Sequence, residues 1–251
     1  MTAKTTEATC AMSSTNDEKT TGRTNPPPPS SRRARLVVLT GPCGSGKTTV
    51  GRALSALLGS IGSSSAAAEA AAAAAPFLDA DDYHDAAAKL KMSKGEPLDD
   101  GDRLPWLARA AAASRDAAAF SPSHVAVLAC SALKKKYRDL LVEVANEAGA
   151  VPAIDVDFVL LRARKESLQA RLERRQEKTQ RSSGAAEEVA GHFLHPSLLK
   201  SQLEAWEDSE EVMVVENDDG GDEDDESGAG GAAARRTAEA VLLAVGLVGK
   251  Q

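Results

Sequence analysis

Gly41, Gly46, Lys47 and Thr48 stand at the spacing G-x-x-x-x-G-K-[ST], and each residue type suits one task at a phosphate. Glycines let a backbone curl until several N–H groups point inward at anionic oxygens. A helix starting near Lys47 adds the positive end of its dipole. The lysine ammonium reaches the β- and γ-phosphates, and the Thr48 hydroxyl is a hard ligand suited to Mg²⁺. The loop Gly41-Pro42-Cys43-Gly44-Ser45-Gly46-Lys47-Thr48-Thr49 follows the apolar run Leu36-Val37-Val38-Leu39 and precedes a helical pattern over residues 50–58. Strand, glycine turn and helix in that order imply a nucleotide site.

Other chemistry-bearing residues cluster where strands should end. A short strand over residues 76–79 runs into Asp79, Asp81, Asp82 and His84. In open parallel sheets ligands gather at the carboxyl ends of strands, so these carboxylates are candidates for a metal or a hydroxyl. The competing reading is a solvated acidic turn with capping roles. After a second apolar run at 125–130, Ser131 is placed to cap a helix over 134–148. That helix opens with Lys134-Lys135-Lys136 and Arg138, part solvated face and part candidate anion site. A further strand at 157–161 leads into a helix over 165–176 carrying Arg171, Arg174 and Arg175. His192 and His195 alone are too few for a metal site. Cys130 reads as a small buried residue, Cys43 as a loop position that takes any small side chain, and Trp206 as packing.

The elements that must hold these residues alternate. Helices are expected at 103–119 and 195–205, a last strand at 212–215 and a closing helix at 232–247. The fold class is therefore α/β, with a parallel sheet flanked by helices. Residues 1–34, rich in Ser, Thr and Pro, read as a disordered tail, and 35–251 as one domain. Ser/Ala-rich 59–75, polar 176–190 and acidic 216–231 read as surface insertions, of which 176–190 and 220–231 are expected to be loops without regular structure.

The chain has 251 residues, a net charge of −7 and only 3% aromatics, which argues against a nucleic-acid partner. No run is long and apolar enough to span a membrane. Three scattered cysteines suit a reducing, cytoplasmic setting, with organelle targeting by residues 1–34 left open.

Four blocks of this sequence resemble the gluconate kinase family, small P-loop kinases related in fold to shikimate and nucleoside monophosphate kinases. They are the loop at 41–49; Asp81-Asp82-Tyr83-His84 with Lys91-Met92, Gly95-Glu96-Pro97-Leu98-Asp99-Asp100, Asp102-Arg103 and Pro105-Trp106-Leu107; Ala129-Cys130-Ser131-Ala132-Leu133-Lys134-Lys135-Lys136-Tyr137-Arg138-Asp139; and Gly191-His192-Phe193 with Leu198-Leu199 and Ser201-Gln202. Asp85 and Ala88 depart from the family's proline and asparagine, and Leu194-His195 from its Met-Pro.

The resemblance implies a three-layer P-loop fold with about five parallel strands and a lid. It also implies ATP-dependent phosphorylation of D-gluconate on its 6-hydroxyl, with ATP and Mg²⁺. On that basis the loop residues Gly41 to Thr49 and Lys47 bind ATP, with Arg171 and Arg174 from the lid side. Arg175 is the candidate to close over the transferring phosphate. Thr48 and Asp79 would hold the metal, and Asp81 would orient the sugar hydroxyl and accept its proton. His84, Arg103, Lys134, Arg138 and His192 would bind gluconate, Arg103 and Arg138 foremost at its carboxylate. Family members resembling this chain are often homodimers. Two rival readings stand beside this one: a same-fold kinase for another small hydroxy acid or a nucleotide, and a nucleotide-binding regulatory protein that has lost catalysis.

Overall fold

The computed structural model of the chain describes residues 33–60, 75–94, 96, 98–147, 153–182, 197–218 and 229–248. Most of the tail at 1–34, and His192 and His195, lie outside these residues. So do residues 61–74, 183–190 and 219–228 of the three insertions.

Among the described residues, five strands form one all-parallel sheet: β1 (Ala34–Thr40), β2 (Phe77–Asp79), β3 (Val125–Ala129), β4 (Ile154–Arg162) and β5 (Val212–Glu216), in the order β2-β3-β1-β4-β5. Continuous apolar runs make the central strands, because in a parallel sheet covered on both faces every side chain is buried. β1 shows the consequence. Leu36 and Val38 pack on one face with Leu128, Trp106, Leu107, Tyr137 and Leu141. Val37 and Leu39 pack on the other with Val50, Leu54, Val127, Val241 and Leu242.

Helices supply the outer layers. α1 (Lys47–Ser60) and the last helix cover one face; α3 (Asp100–Phe120) and α4 (Lys135–Ala145) cover the other. Between β2 and α3 lie a 3-10 turn (Ala80–Tyr83) and α2 (Ala86–Ser93). α5 (Lys165–Ser182), α6 (Ser197–Glu204) and α7 (Ala229–Ala244) complete the chain. A small third core of Leu168, Leu172 and Leu199 packs on Cys43, tying α5 and α6 to the glycine loop. Gly51 lets α1 lie on the sheet: a Cβ there would fall 2.3 Å from the Phe77 ring.

Several boundaries differ from the sequence reading. α3 begins three residues early, because Asp99 and Asp102 form a reciprocal capping box ahead of it. Pro105 therefore sits in the second turn, not the first. α5 continues through residues 177–182 where a loop was expected, carried by good helix formers such as Gln176, Glu177 and Lys178. Ser131 does not cap α4. The N-cap position is Lys134, and the Lys135 amide donates instead to Glu207 Oε2 at 2.7 Å, a cap borrowed from the segment after α6.

Candidate active site

The carboxyl ends of β1, β2 and β3 converge where the connections from the adjacent strands β1 and β3 run in opposite directions, from β1 to β2 and from β3 to β4, the expected place for a ligand crevice in an open sheet. A cavity of about 330 Å³ opens there. Its lining brings together Cys43, Gly44, Gly46, Lys47, Thr48 and Thr49 from the glycine loop, Asp79, Asp81 and His84 from the end of β2, Arg103 from α3, Lys134 before α4, and Arg175 from α5. Residues distant in sequence thus meet because most sit at a strand end or in the first turns of a helix, and Arg175 reaches in from the middle of α5.

Within the loop, Lys47 Nζ donates to the carbonyls of Gly41 and Pro42 at 3.0 and 2.9 Å. Burial pushes its pKa down, and the nearby carboxylates of Asp81 and Asp79 oppose that shift. The Cys43 amide donates to Gln202 Oε1 of α6 at 2.6 Å. Beneath the loop, Arg171 donates to the carbonyls of Gly44 (3.0 Å), Asn217 (2.6 Å) and Asp218 (2.8 Å). Burial raises the pKa of both thiols that line the cavity, Cys43 and, to about 12, Cys130.

Asp79 works in two directions. Its Oδ2 accepts from Thr48 Oγ1 at 2.9 Å, and its Oδ1 accepts from the Asp81 amide at 3.1 Å, capping the 3-10 turn that carries Asp81. A hydroxyl and a carboxylate held side by side at the loop fit Mg²⁺, which takes one or two protein oxygens and completes its shell with phosphate and water. Among the described residues no cluster of three or more His, Cys, Asp or Glu would hold a metal by itself.

Asp81 lies 3.7 Å from His84 Nε2. The imidazole is buried and stacks on Trp106 at 4.0 Å between centroids, nearly parallel. The Trp106 indole N–H donates to the Ala80 carbonyl, which fixes the platform beneath the histidine.

On the far wall, Arg103 Nη1 donates to the Tyr137 hydroxyl at 3.3 Å, which donates to Asp100 Oδ1 at 2.6 Å. Lys136 pairs with the same carboxylate. Hydrogen bonds from Lys136 and Tyr137 pull the Asp100 pKa down to about 2.

Three arginines expected at the site sit elsewhere, and Gly41, Pro42 and Ser45 of the loop stand outside the lining. Arg138 is 1% exposed and faces inward from α4. Its guanidinium donates to the carbonyls of Ala132 and Leu133 (both 3.1 Å) and Glu207 (2.7 Å), to Ser209 Oγ (2.7 Å) and to Glu211 Oε1 (3.3 Å). With its donors committed there, and with no place in the cavity lining, it does not fit the role of carboxylate clamp. Arg171 is spent on backbone carbonyls beneath the loop, and Arg174 is exposed outside the lining. Asp85 and Ala88 also stand outside it: Asp85 caps α2 by accepting from the Ala88 amide at 2.8 Å.

The cavity adds residues that carried no expected role: Met92, Glu96, Leu98, Tyr137 and Gln202. The motif blocks containing them were legible, but apolar and amide side chains announce packing as readily as contact with a ligand.

Comparisons with known proteins add an independent line. The family model of an AAA domain (AAA_18) matches residues 37–191. A thermosensitive gluconokinase of Escherichia coli is 37% identical over 170 residues, covering 68% of this chain and 70% of the relative. Among solved structures, a gluconokinase from Sinorhizobium meliloti aligns with a TM-score of 0.50 at 30% identity, over 86% of this chain and 97% of that one. An unliganded sugar kinase from Janibacter aligns with a TM-score of 0.56 at 26% identity, over 86% of this chain and 96% of that one.

Proposed function

The chain belongs to the gluconokinase family of P-loop kinases, and from that premise we propose that it transfers the terminal phosphoryl group of ATP to the 6-hydroxyl of D-gluconate, giving 6-phospho-D-gluconate. The observation that carries the reading is one cavity joining the phosphate loop and Lys47 to Asp81, His84 and Arg103. A phosphoryl donor and a polyhydroxy acid need such a shared space.

Phosphoryl transfer asks a protein for in-line positioning and for neutralisation of spread negative charge. Lys47 and the loop amides receive the β- and γ-phosphates. Thr48 and Asp79 are the residues that would hold Mg²⁺, and the bound ion would neutralise charge on the phosphate oxygens. Asp81 orients the acceptor hydroxyl and takes its proton as the bond to phosphorus forms. His84, held flat on Trp106, hydrogen-bonds a further sugar hydroxyl. Arg103, steadied by Tyr137, and Lys134 face the gluconate carboxylate. Arg175 neutralises the transferring group from the α5 side. Arg138 leaves this list, and His192 stays on it as an expectation from sequence.

The acidic net charge of −7 fits small anionic ligands escorted by cations rather than nucleic acid. No helix among the described residues is long and apolar enough to cross a membrane, and the proposed setting is cytoplasmic. A homodimer is proposed on family resemblance, and light scattering on the purified chain tests it.

The experiment for the reading is an acceptor panel of D-gluconate, shikimate and nucleoside monophosphates, each with ATP and Mg²⁺ and each product weighed by mass spectrometry. Gluconate should give the highest kcat/KM by at least about a hundredfold, below the roughly 10⁴–10⁵-fold by which a hydrogen-bonding site can reject a mismatched substrate. A higher value for shikimate or a nucleotide would replace this function with the same-fold alternative.

A further inference from the structure

The phosphate loop is held from behind by a residue that touches neither the cavity nor any expected ligand. Asn217, immediately after β5, is 2% exposed. Its Nδ2 donates to the Ser45 carbonyl at 2.8 Å, and its Oδ1 accepts from Thr237 Oγ1 of α7 at 2.8 Å. A carbonyl can only accept, so the nitrogen end of the carboxamide must face Ser45 and the oxygen end Thr237. The backbone of Asn217 is pinned as well: its amide donates to the Arg162 carbonyl at 2.7 Å, and its carbonyl accepts from Arg171 Nη2 at 2.6 Å.

The peptide unit explains what this achieves. In a trans peptide the C=O and the next N–H point in opposite directions. Fixing the Ser45 carbonyl on Asn217 therefore turns the Gly46 N–H the other way, and Gly46 lines the cavity. Gly46 shows how closely the Asn217 side chain approaches the loop backbone. Its φ is +87°, and a Cβ there would sit 2.6 Å from Asn217 Nδ2.

We infer that Asn217 is a positioning residue for the nucleotide phosphates, acting through the Ser45–Gly46 peptide, with Thr237 holding its carboxamide in register. The inference rests on the nucleotide-binding reading of the cavity but not on gluconate as acceptor.

The test uses the full chain with Asn217→Asp and Thr237→Val. Asn217→Asp keeps the shape and the acceptor for Thr237 but sets an oxygen against the Ser45 carbonyl. Calorimetry should show ATP affinity reduced about tenfold or more in Asn217→Asp, and about threefold in Thr237→Val. The inhibition constant of tripolyphosphate should rise by the same factors, because the phosphate grip is what is lost. The KM for gluconate should stay within about twofold, since the acceptor groups are untouched. Variants that melt earlier yet bind ATP and tripolyphosphate like the parent would make Asn217 a purely structural residue and overturn the inference. If Asn217→Asp does not fold, a folded Thr237→Val with unaltered ATP affinity overturns it equally. A parent chain that binds ATP but does not phosphorylate gluconate would overturn the proposed function and leave this inference standing.

Discussion

Lys47 and Asp81 reach one cavity from different strand ends, so their roles separate by experiment. Asp81→Asn keeps the shape and removes the base. Its kcat should fall by about 10²–10⁴-fold, the usual worth of a positioned general base, while the KM for ATP stays within about twofold. A rise confined to the KM for gluconate would make Asp81 a binding residue. At this scale the sequence was legible wherever a residue type has few uses. The glycine loop, Lys47, Thr48 and the Asp79–Asp81 pair were identified from type and spacing, and the structure brings them together. Arginine has many uses, and there the reading fell short. Arg138, expected at a carboxylate, is buried among backbone carbonyls, while Arg103 in a helical turn lines the cavity. Nothing in the spacing of a cation along a helix tells which way its long side chain folds.

The bonds of Arg138 tie the start of α4 to the segment after α6. Arg138→Met should lower stability by about 2–4 kcal/mol by leaving buried carbonyls without donors, a fall in Tm of roughly 5–10 °C. Activity at low temperature should persist in the folded fraction. Loss of gluconate affinity without loss of Tm would instead restore the clamp. The contact of α3 with α4 carries a pH signature. Asp100 titrates near 2, below its ordinary 3.8, because Lys136 and Tyr137 hold its ionised form. A depressed folded pKa contributes stability above the unfolded value and loses it as pH falls through the folded one. The gap in urea midpoint between the parent and Asp100→Asn should therefore be constant from about pH 7 to 5 and close between about pH 4 and 2. A gap that ignores pH would break the link. Strands were legible here because parallel strands are written as apolar runs. The onset of α3 was missed because its capping box lies ahead of the apolar pattern, and α2 was missed because Ala86-Ala87-Ala88 carries no periodicity.

Over the whole molecule, the resemblance carried by four motif blocks agrees with the relatives and with the parallel five-stranded sheet. The ends of the acidic insertion are tied together, since Asn217 and Thr237 share a hydrogen bond across it. Deleting residues 219–228 and bridging the gap with a short Gly/Ser linker should leave kcat/KM within about threefold, because loop length costs little once the ends are held. A large loss would give the acidic segment a part in catalysis. The brace itself could not be read from sequence, because an asparagine after a strand announces a turn, and only the packing of α7 shows what it grips. What most needs measuring is whether ATP is spent on gluconate. The direct measurement is ADP release by the purified full-length chain with Mg²⁺, with and without D-gluconate, the product located by phosphorus NMR. Release should depend on gluconate and give one 6-phosphogluconate per ADP. ADP formed at the same rate without gluconate, or intact ATP binding with no phosphogluconate, would contradict it.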